Sequence, residues 1–372
     1  MRIGIPRETS RHEHRVGLTP FGVSRLVNLG HEVYIERGAG RDCHFTDEDY
    51  EEAGAHVVYS TDEAYQRAEL VCRVGTISEE DVERMPAGLT VAGFLHVAMT
   101  PRRLVDELAA RQISLVGYEI LRIDGAGRAV MRSLSEIAGQ MVVHCAAHLL
   151  EYESGGRGVI LGGVPGIAPA TVVVLGAGVV GRRAAALAAA AGAHVIVLDT
   201  NLEKLRRVLD EAGRQVVTAL ATPRNLRRFT EIADVLIGAV AIPGGRAPFL
   251  VTEEMVRRMK AGSVILDVSI DQGGCIETSR PTTPDNPTFR VHGVTHFCVP
   301  NMTANAPRTA SRALTIAALP FLTRIAGEGL EAALAASPGF REGVYMYRGR
   351  MVNELAAAAL GMTPVRLDDL LS

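Results

Sequence analysis

The feature that most limits what this 372-residue chain can become is a glycine-rich turn set between a strand and a helix. Thr171–Leu175 is a short run of β-branched and aliphatic residues, and Gly176-Ala177-Gly178-Val179-Val180-Gly181 follows it directly. An alanine-rich helical stretch comes next, then a second apolar run from His194 to Leu198 that ends in Asp199. A lone GxGxxG is a weak signal. Here it lies between strand and helix, with an acid about 20 residues further on, and that combination defines a Rossmann βαβ unit. Gly176 permits the tight turn, and Gly178 lets the backbone approach a pyrophosphate. The helix N-terminus at Val179 and Val180 attracts that anion. Gly181 allows helix and strand to pack closely. Asp199 can accept hydrogen bonds from ribose hydroxyls and would repel a 2′-phosphate, so the expected cofactor is NAD rather than NADP.

A chain of this length suggests two domains. Ahead of the glycine turn, Arg2–Ile5, His31–Glu36, Leu70–Val74, Leu89–Leu95 and Ser114–Tyr118 read as strands. Helical patterns alternate with them. Thr19-Pro20 opens one that Gly30 stops, and Pro101–Ala110 is another. Such alternation predicts an α/β fold with a largely parallel sheet. A long helix is expected from about Ser135 to Glu153, closed by the glycine-rich stretch 155–166. The second βα series runs from Thr171 to about Asp267. After Pro307 the pattern is helical (Ala310–Ala326, Leu330–Ala335, Asn353–Leu360), with no strand set, and these helices are expected to pack back on the first domain.

Composition removes several classes of function. The net charge is −3, aromatics are 5% and Trp is absent, which disfavours nucleic-acid partners. The most apolar stretch, Ala184–Ala191, is too short to span a membrane. Five dispersed cysteines without a CxxC pair read as reduced thiols, and the N-terminal residues carry no apolar signal core, so a cytoplasmic protein is expected. His144 and His148, one helical turn apart around Cys145, lack the HExxH glutamate and a third ligand, so no metal site is expected. Ser135 has no GxSxG elbow around it.

Beyond these local readings, the chain resembles the alanine dehydrogenases, whose fold is shared by the NAD-binding domain of proton-translocating transhydrogenases. The resemblance is carried by Ile3-Gly4-Ile5-Pro6-Arg7-Glu8, by Arg15-Val16 before Leu18-Thr19-Pro20, by Gly38-Ala39-Gly40 and by Phe94-Leu95-His96. It continues in Ser135-Glu136-Ile137-Ala138-Gly139, Gly162-Gly163-Val164-Pro165-Gly166, Asp271-Gln272-Gly273-Gly274-Cys275 and Arg280-Pro281-Thr282-Thr283. It implies two Rossmann-like domains, with the active site in the cleft. A discontinuous substrate domain takes residues 1–133 and 305–372, and a central, doubly wound NAD-binding domain takes 134–304. It further implies an NAD-dependent enzyme acting on an amino acid and its keto acid, and a homo-oligomer, often a hexamer.

Carried over residue by residue, Arg15 holds the substrate carboxylate, a task suited to a guanidinium fork. His96 is the catalytic histidine and Asp271 the catalytic aspartate beside it. Ser135, Asp199, Lys204, Val240 and the segment Val299–Met302 match cofactor contacts, with Asn301 closest to nicotinamide and substrate. Without the resemblance, His96 and Arg15 read as structural or solvated groups. Asp271 already stands out, because it follows an apolar strand at the expected mouth of a sheet.

One position departs. The family keeps a substrate-contacting lysine in a Lys-x-Lys-Glu-Pro segment, and here the stretch reads Arg73-Val74-Gly75-Thr76-Ile77. Gly75 deletes a positive charge where a keto acid needs one, a kind of loss that often costs ~10²–10³-fold in rate. Arg73 shares a strand face with position 75 and is one candidate to replace that charge; in the plainer alternative it stays outside the site. Arg132 is another, with a solvated charge as its alternative. The vacancy also makes room for a substrate larger than alanine. Two rival readings accompany the amino-acid dehydrogenase: an imine or opine-type oxidoreductase, which needs less carbonyl polarisation, and a catalytically weakened NAD-binding protein.

Overall fold

In a computed structural model, which describes residues 1–123, 127–241 and 247–371, the chain divides into two units. Met1–Leu134 with Ala304–Ser372 forms one, and Ser135–Thr303 forms the other.

The first unit opens with six strands in sequence, β1 (Arg2–Ile5), β2 (Glu32–Glu36), β3 (His56–Val58), β4 (Leu70–Cys72), β5 (Thr90–Gly93) and β6 (Ser114–Gly117). They lie parallel in the order β6-β5-β4-β1-β2-β3. Every residue of β4, β5 and β6 is buried, as expected of central parallel strands covered on both faces. Three of the intervening helices start at capping side chains. Thr46, Ser60 and Ser78 each accept a backbone N–H of the first turn. On one side of the sheet Val71, Val91 and Leu115 pack with Tyr65, Leu104 and Met346. Each such aliphatic side chain contributes about 1.5–3 kcal/mol when fully buried.

The second unit holds β7 (Thr171–Leu175), β8 (His194–Asp199), β9 (Val216–Leu220), β10 (Val235–Gly238), β11 (Val264–Asp267), β12 (Thr288–Val291) and β13 (Val294–Phe297). Their order is β12-β13-β11-β10-β7-β8-β9, parallel except for β12. Side chains alternate between the two faces. Val172, Val174, Val195 and Val197 join one core, while Val173, Leu175, Ile196 and Leu198 join another. Strand order reverses between β7 and β10, the switch point at which doubly wound sheets bind ligands. This unit is a Rossmann-like domain, and the glycine turn leaves β7 at that point.

Two expectations need correction. The long helix covers Ala129–Leu149, not Ser135–Glu153. Ala129–Leu134 contains no helix breaker, so Arg132 and Ser135 lie within the helix rather than at or before its start. The chain after Pro307 is also not purely helical. Beyond the helices Pro307–Glu328 and Leu330–Ala336, β14 (Val344–Tyr347) and β15 (Arg350–Met351) extend the first sheet, with β14 antiparallel to β6. These strands are short, and what holds β14 is its partner β6, far away in sequence. No single described helix is long and apolar enough to cross a membrane.

Candidate functional site

In the second unit the site is made of backbone. Gly176 leaves β7 with φ +99°, a conformation only glycine adopts without strain. A Cβ on Gly181 would overlap the Gly176 carbonyl, so this glycine is required by packing alone. Gly178 differs: among the described residues a Cβ there would find only the Ala239 carbonyl, 4.0 Å away, so no described residue fills the space above it. The helix Val179–Ala190 begins at Gly178 with no capping side chain on its first-turn N–H groups. Open space over Gly178 and a helix start without a side-chain cap fit a pyrophosphate.

Asp199 closes the cradle. Its Oδ2 accepts the Ala177 N–H at 2.7 Å and its Oδ1 the Asn201 N–H at 2.8 Å, which fixes the carboxylate at the end of β8. Each oxygen keeps a second lone pair suited to a ribose hydroxyl. Lys204 is exposed on the first turn of the helix Leu202–Ala212, where the Asn201 side chain accepts its N–H at 3.1 Å. Val240 donates its N–H to Ser269 Oγ at 2.9 Å, and its side chain faces Gly176. Val299 and Met302 are buried, Met302 within the core beside Val142 and Leu266. Asp271 and Asn301 meet, because Asp271 Oδ1 accepts the Asn301 N–H at 2.9 Å. Asn301 holds φ +51°, a left-handed conformation that asparagine tolerates. Asp267, at the end of β11 and missed by the sequence reading, accepts the N–H groups of Ser269 and Cys275 and so shapes the loop carrying Asp271. Burial pushes the Asp267 carboxyl up, against the hydrogen bonds it accepts.

In the first unit the site is made of side chains. Glu8 follows β1, Gly75 follows β4, His96 follows β5 and Glu119 follows β6, so all four lie at the carboxyl edge of neighbouring parallel strands. The Arg15 guanidinium is buried and lies 5.9 Å from the centre of the Phe94 ring, just before His96. Glu13 grips it through Nε at 2.7 Å and Nη2 at 2.6 Å, a bidentate pair. His96 has φ +44°, and its N–H donates to Glu119 Oε1 at 2.6 Å. The same oxygen accepts the Tyr345 hydroxyl at 2.9 Å and lies 3.9 Å from His96 Nδ1. Glu119 thus holds an unfavourable backbone conformation in place and puts a carboxylate beside the imidazole.

Arg73 does not fill the vacancy at Gly75. Its Nη1 meets Asp81 Oδ2 at 2.7 Å and the Tyr65 hydroxyl at 2.9 Å, and its Nη2 meets Glu8 Oε2 at 3.3 Å. Burial opposes the guanidinium charge, but Glu8, Tyr65 and Asp81 outweigh it and hold the group firmly charged. Among the described residues a Cβ on Gly75 would meet only Glu8 Oε2, 3.1 Å away. Glu8, Glu13 and Glu119 were all missed as site residues. Glu8 and Glu119 each follow a strand end, and Glu13 lies two residues from Arg15; these were the signals available. His144 and His148 are exposed on one helix, and among the described residues no group of three metal-binding side chains gathers there or elsewhere.

Known proteins are similar to this chain along nearly its whole length. The family model for the alanine dehydrogenase/PNT N-terminal domain covers residues 4–138, and that for the C-terminal domain covers 142–354. An alanine dehydrogenase of Mycolicibacterium smegmatis is 41% identical over 97% of both chains. A solved L-alanine dehydrogenase structure superposes with a TM-score of 0.93 at 39% identity, covering 97% of this chain and 99% of that one. A transhydrogenase from Sinorhizobium meliloti gives 0.78 at 25% identity, covering 95% and 99%. With both halves matched, and with a relative this similar along nearly its full length, the chain belongs to the alanine dehydrogenase/PNT family.

Proposed function

We propose that this protein is an NAD-dependent amino-acid dehydrogenase, which converts an L-amino acid and water into a 2-keto acid and ammonia, or runs the reverse. The reading rests above all on the gathering of Arg15, His96 and Glu119 at one sheet edge in a chain of this family. Residues 134–304 serve the cofactor, and residues 1–133 with 305–372 serve the substrate. Bound NAD would accept the hydride from the substrate α-carbon.

The chain's own groups do the rest. Gly176, Gly178, Val179, Val180 and Gly181 form the pyrophosphate cradle, and Asp199 takes the adenosine ribose. Ser135, Lys204, Val240, Val299 and Met302 complete the cofactor contacts. Arg15, steadied by Glu13, binds the substrate carboxylate and so fixes the orientation of the α-carbon. An imidazole nitrogen of His96 takes the proton of the incoming water and returns a proton to the departing nitrogen. Asp271, tied to Asn301, is the second proton-handling group. Arg73 acts through Glu8. Cytoplasmic location and a homo-oligomer, a hexamer by likeness to the family, complete the proposal.

The missing cation at Gly75 favours one further reading, reduction of a preformed C=N, because an iminium needs less help than a ketone. Purified enzyme with NADH, a panel of keto acids and either ammonia or primary amines separates the two. NADH consumption with ammonia supports the dehydrogenase; consumption with amines alone supports imine reduction. Tight NADH binding with no turnover would sink both.

A further inference from the structure

Two carboxylates, Glu8 and Asp81, share one guanidinium, Arg73, and each of the three side chains is only 4% exposed. Among the described residues no second cation lies within ion-pair distance of either acid, so the cluster carries a net negative charge. Uncompensated charge in a protein interior is costly and calls for a counter-charge. Asp81 is well satisfied: besides Arg73 it accepts the Tyr65 hydroxyl at 3.1 Å and the Ser78 N–H and hydroxyl at 2.9 and 2.8 Å. Glu8 is not. It has the longer contact to Arg73, 3.3 Å, and one backbone N–H, from Val74 to Oε1 at 2.6 Å.

The underused oxygen faces the gap. Among the described residues, the two chain neighbours aside, Glu8 Oε2 is the one atom within 4 Å of the place a Cβ of residue 75 would take. Val74 and Phe94 pair across β4 and β5 through the Phe94 N–H, so Gly75 lies alongside the strand end that carries His96. The side-chain-free position therefore sits in the site, next to a buried carboxylate that lacks a full counter-charge.

We propose that the substrate itself supplies that charge: the preferred substrate is an α-amino acid with a second amino group on its side chain, whose ammonium sits over Gly75 against Glu8 Oε2. Arg15 takes the α-carboxylate, so the two ends of a diamino acid meet opposite charges. A single available oxygen, with Oε1 already engaged by Val74, suits an ammonium better than a guanidinium, which favours two parallel acceptors. The inference rests on the amino-acid dehydrogenase reading and narrows its substrate.

The test compares 2,4-diaminobutyrate and ornithine with their neutral counterparts, 2-aminobutyrate and norvaline. Binding is read by calorimetry on the NADH-loaded protein and turnover by NADH formation from NAD. The diamino acids are expected to bind and react about tenfold or more better, the worth of one charged hydrogen bond. Glu8→Gln removes the charge, and Gly75→Lys fills the gap with a competing ammonium; each is expected to erase the preference. If Glu8→Gln fails to fold, Gly75→Lys alone decides, since its Cβ asks only a small shift of the Glu8 oxygen. A neutral amino acid that performs as well as its diamino partner overturns the inference, as does a preference that survives the variants. Diamino binding with no NADH formed keeps the inference and removes the dehydrogenase reading. Turnover of neutral amino acids alone does the reverse, and no binding or turnover with any of the four overturns both.

Discussion

The two sheets of this protein carry functional groups at the same place, the carboxyl ends of their parallel strands, yet build them from different materials. In the second unit the proposed recognition falls to the peptide backbone: a turn with φ +99°, a helix start without a capping side chain, and one anchored carboxylate. In the first unit it falls to charged side chains that hold one another, Glu13 on Arg15, Glu119 on His96, and Glu8 with Asp81 on Arg73. A backbone site tolerates no added atom. A side-chain site tolerates no lost charge. The contrast gives each edge its own way to fail.

The largest effect is expected from one methyl group. Gly181→Ala forces a Cβ onto the Gly176 carbonyl, so the turn has to open. NADH affinity is expected to fall by about 100-fold or more, with roughly 3 kcal/mol of stability. Gly178→Ala is the matched control. Among the described residues its Cβ meets nothing closer than 4.0 Å, so stability should stay within about 0.5 kcal/mol while NADH binding weakens about tenfold. Fluorescence titration with NADH beside a thermal melt separates the two. Unchanged affinity in Gly178→Ala would mean that no ligand approaches the backbone there.

In the first unit the corresponding break is a lost charge. Asp81→Asn leaves Arg73 and Glu8 buried with a poorer network, and about 3 kcal/mol is expected to go, read by urea denaturation at neutral pH. The pH dependence has a definite sign. Burial alone would raise the Asp81 carboxyl, but Arg73 and the hydrogen bonds from Ser78 outweigh it and hold the group below the ordinary carboxylate range. A depressed folded-state value stabilises above the unfolded value and is lost as pH falls through the folded one. The gap between wild type and Asp81→Asn should therefore narrow below about pH 4. A gap that widens on acidification would show that the pair does not stabilise the fold.

The same contrast decides what could be read from the sequence. A backbone site needs glycines at fixed spacing within one βαβ unit, so Gly176, Gly178, Gly181 and Asp199 were legible as a local pattern. Strands β4, β5 and β6 were legible too, as short apolar runs between breakers. Strand β14 was not, because nothing near Val344–Tyr347 reveals that its partner is β6. Ser135-Glu136 suggested a helix start, yet the turn before it, Ala129–Leu134, is equally competent to be helical. Arg15, His96 and the change at Gly75 became visible only through family likeness, since a single arginine, histidine or glycine has no periodicity. Glu8 and Glu119 stayed hidden because their partners lie on other strands, and such pairing is a property of the folded sheet.

Glu119 offers the finest test of how a side-chain site works. It accepts the backbone N–H of His96, a residue at φ +44°, and its second oxygen is buried with no hydrogen-bond partner. Glu119→Gln keeps the size and an acceptor oxygen but removes the charge 3.9 Å from the imidazole. The His96 backbone should keep its conformation, because an amide oxygen can still take that N–H and the Tyr345 hydroxyl. Substrate binding through Arg15 should also be untouched, so KM is expected to change less than about twofold. Proton transfer should suffer, because the positive charge that develops on the ring has lost its partner, and kcat is expected to fall about tenfold. A merely structural glutamate would instead raise KM and lower stability together. Equal loss in both parameters would make Glu119 a scaffold; a fall in kcat alone makes it the residue through which the first sheet tunes its histidine.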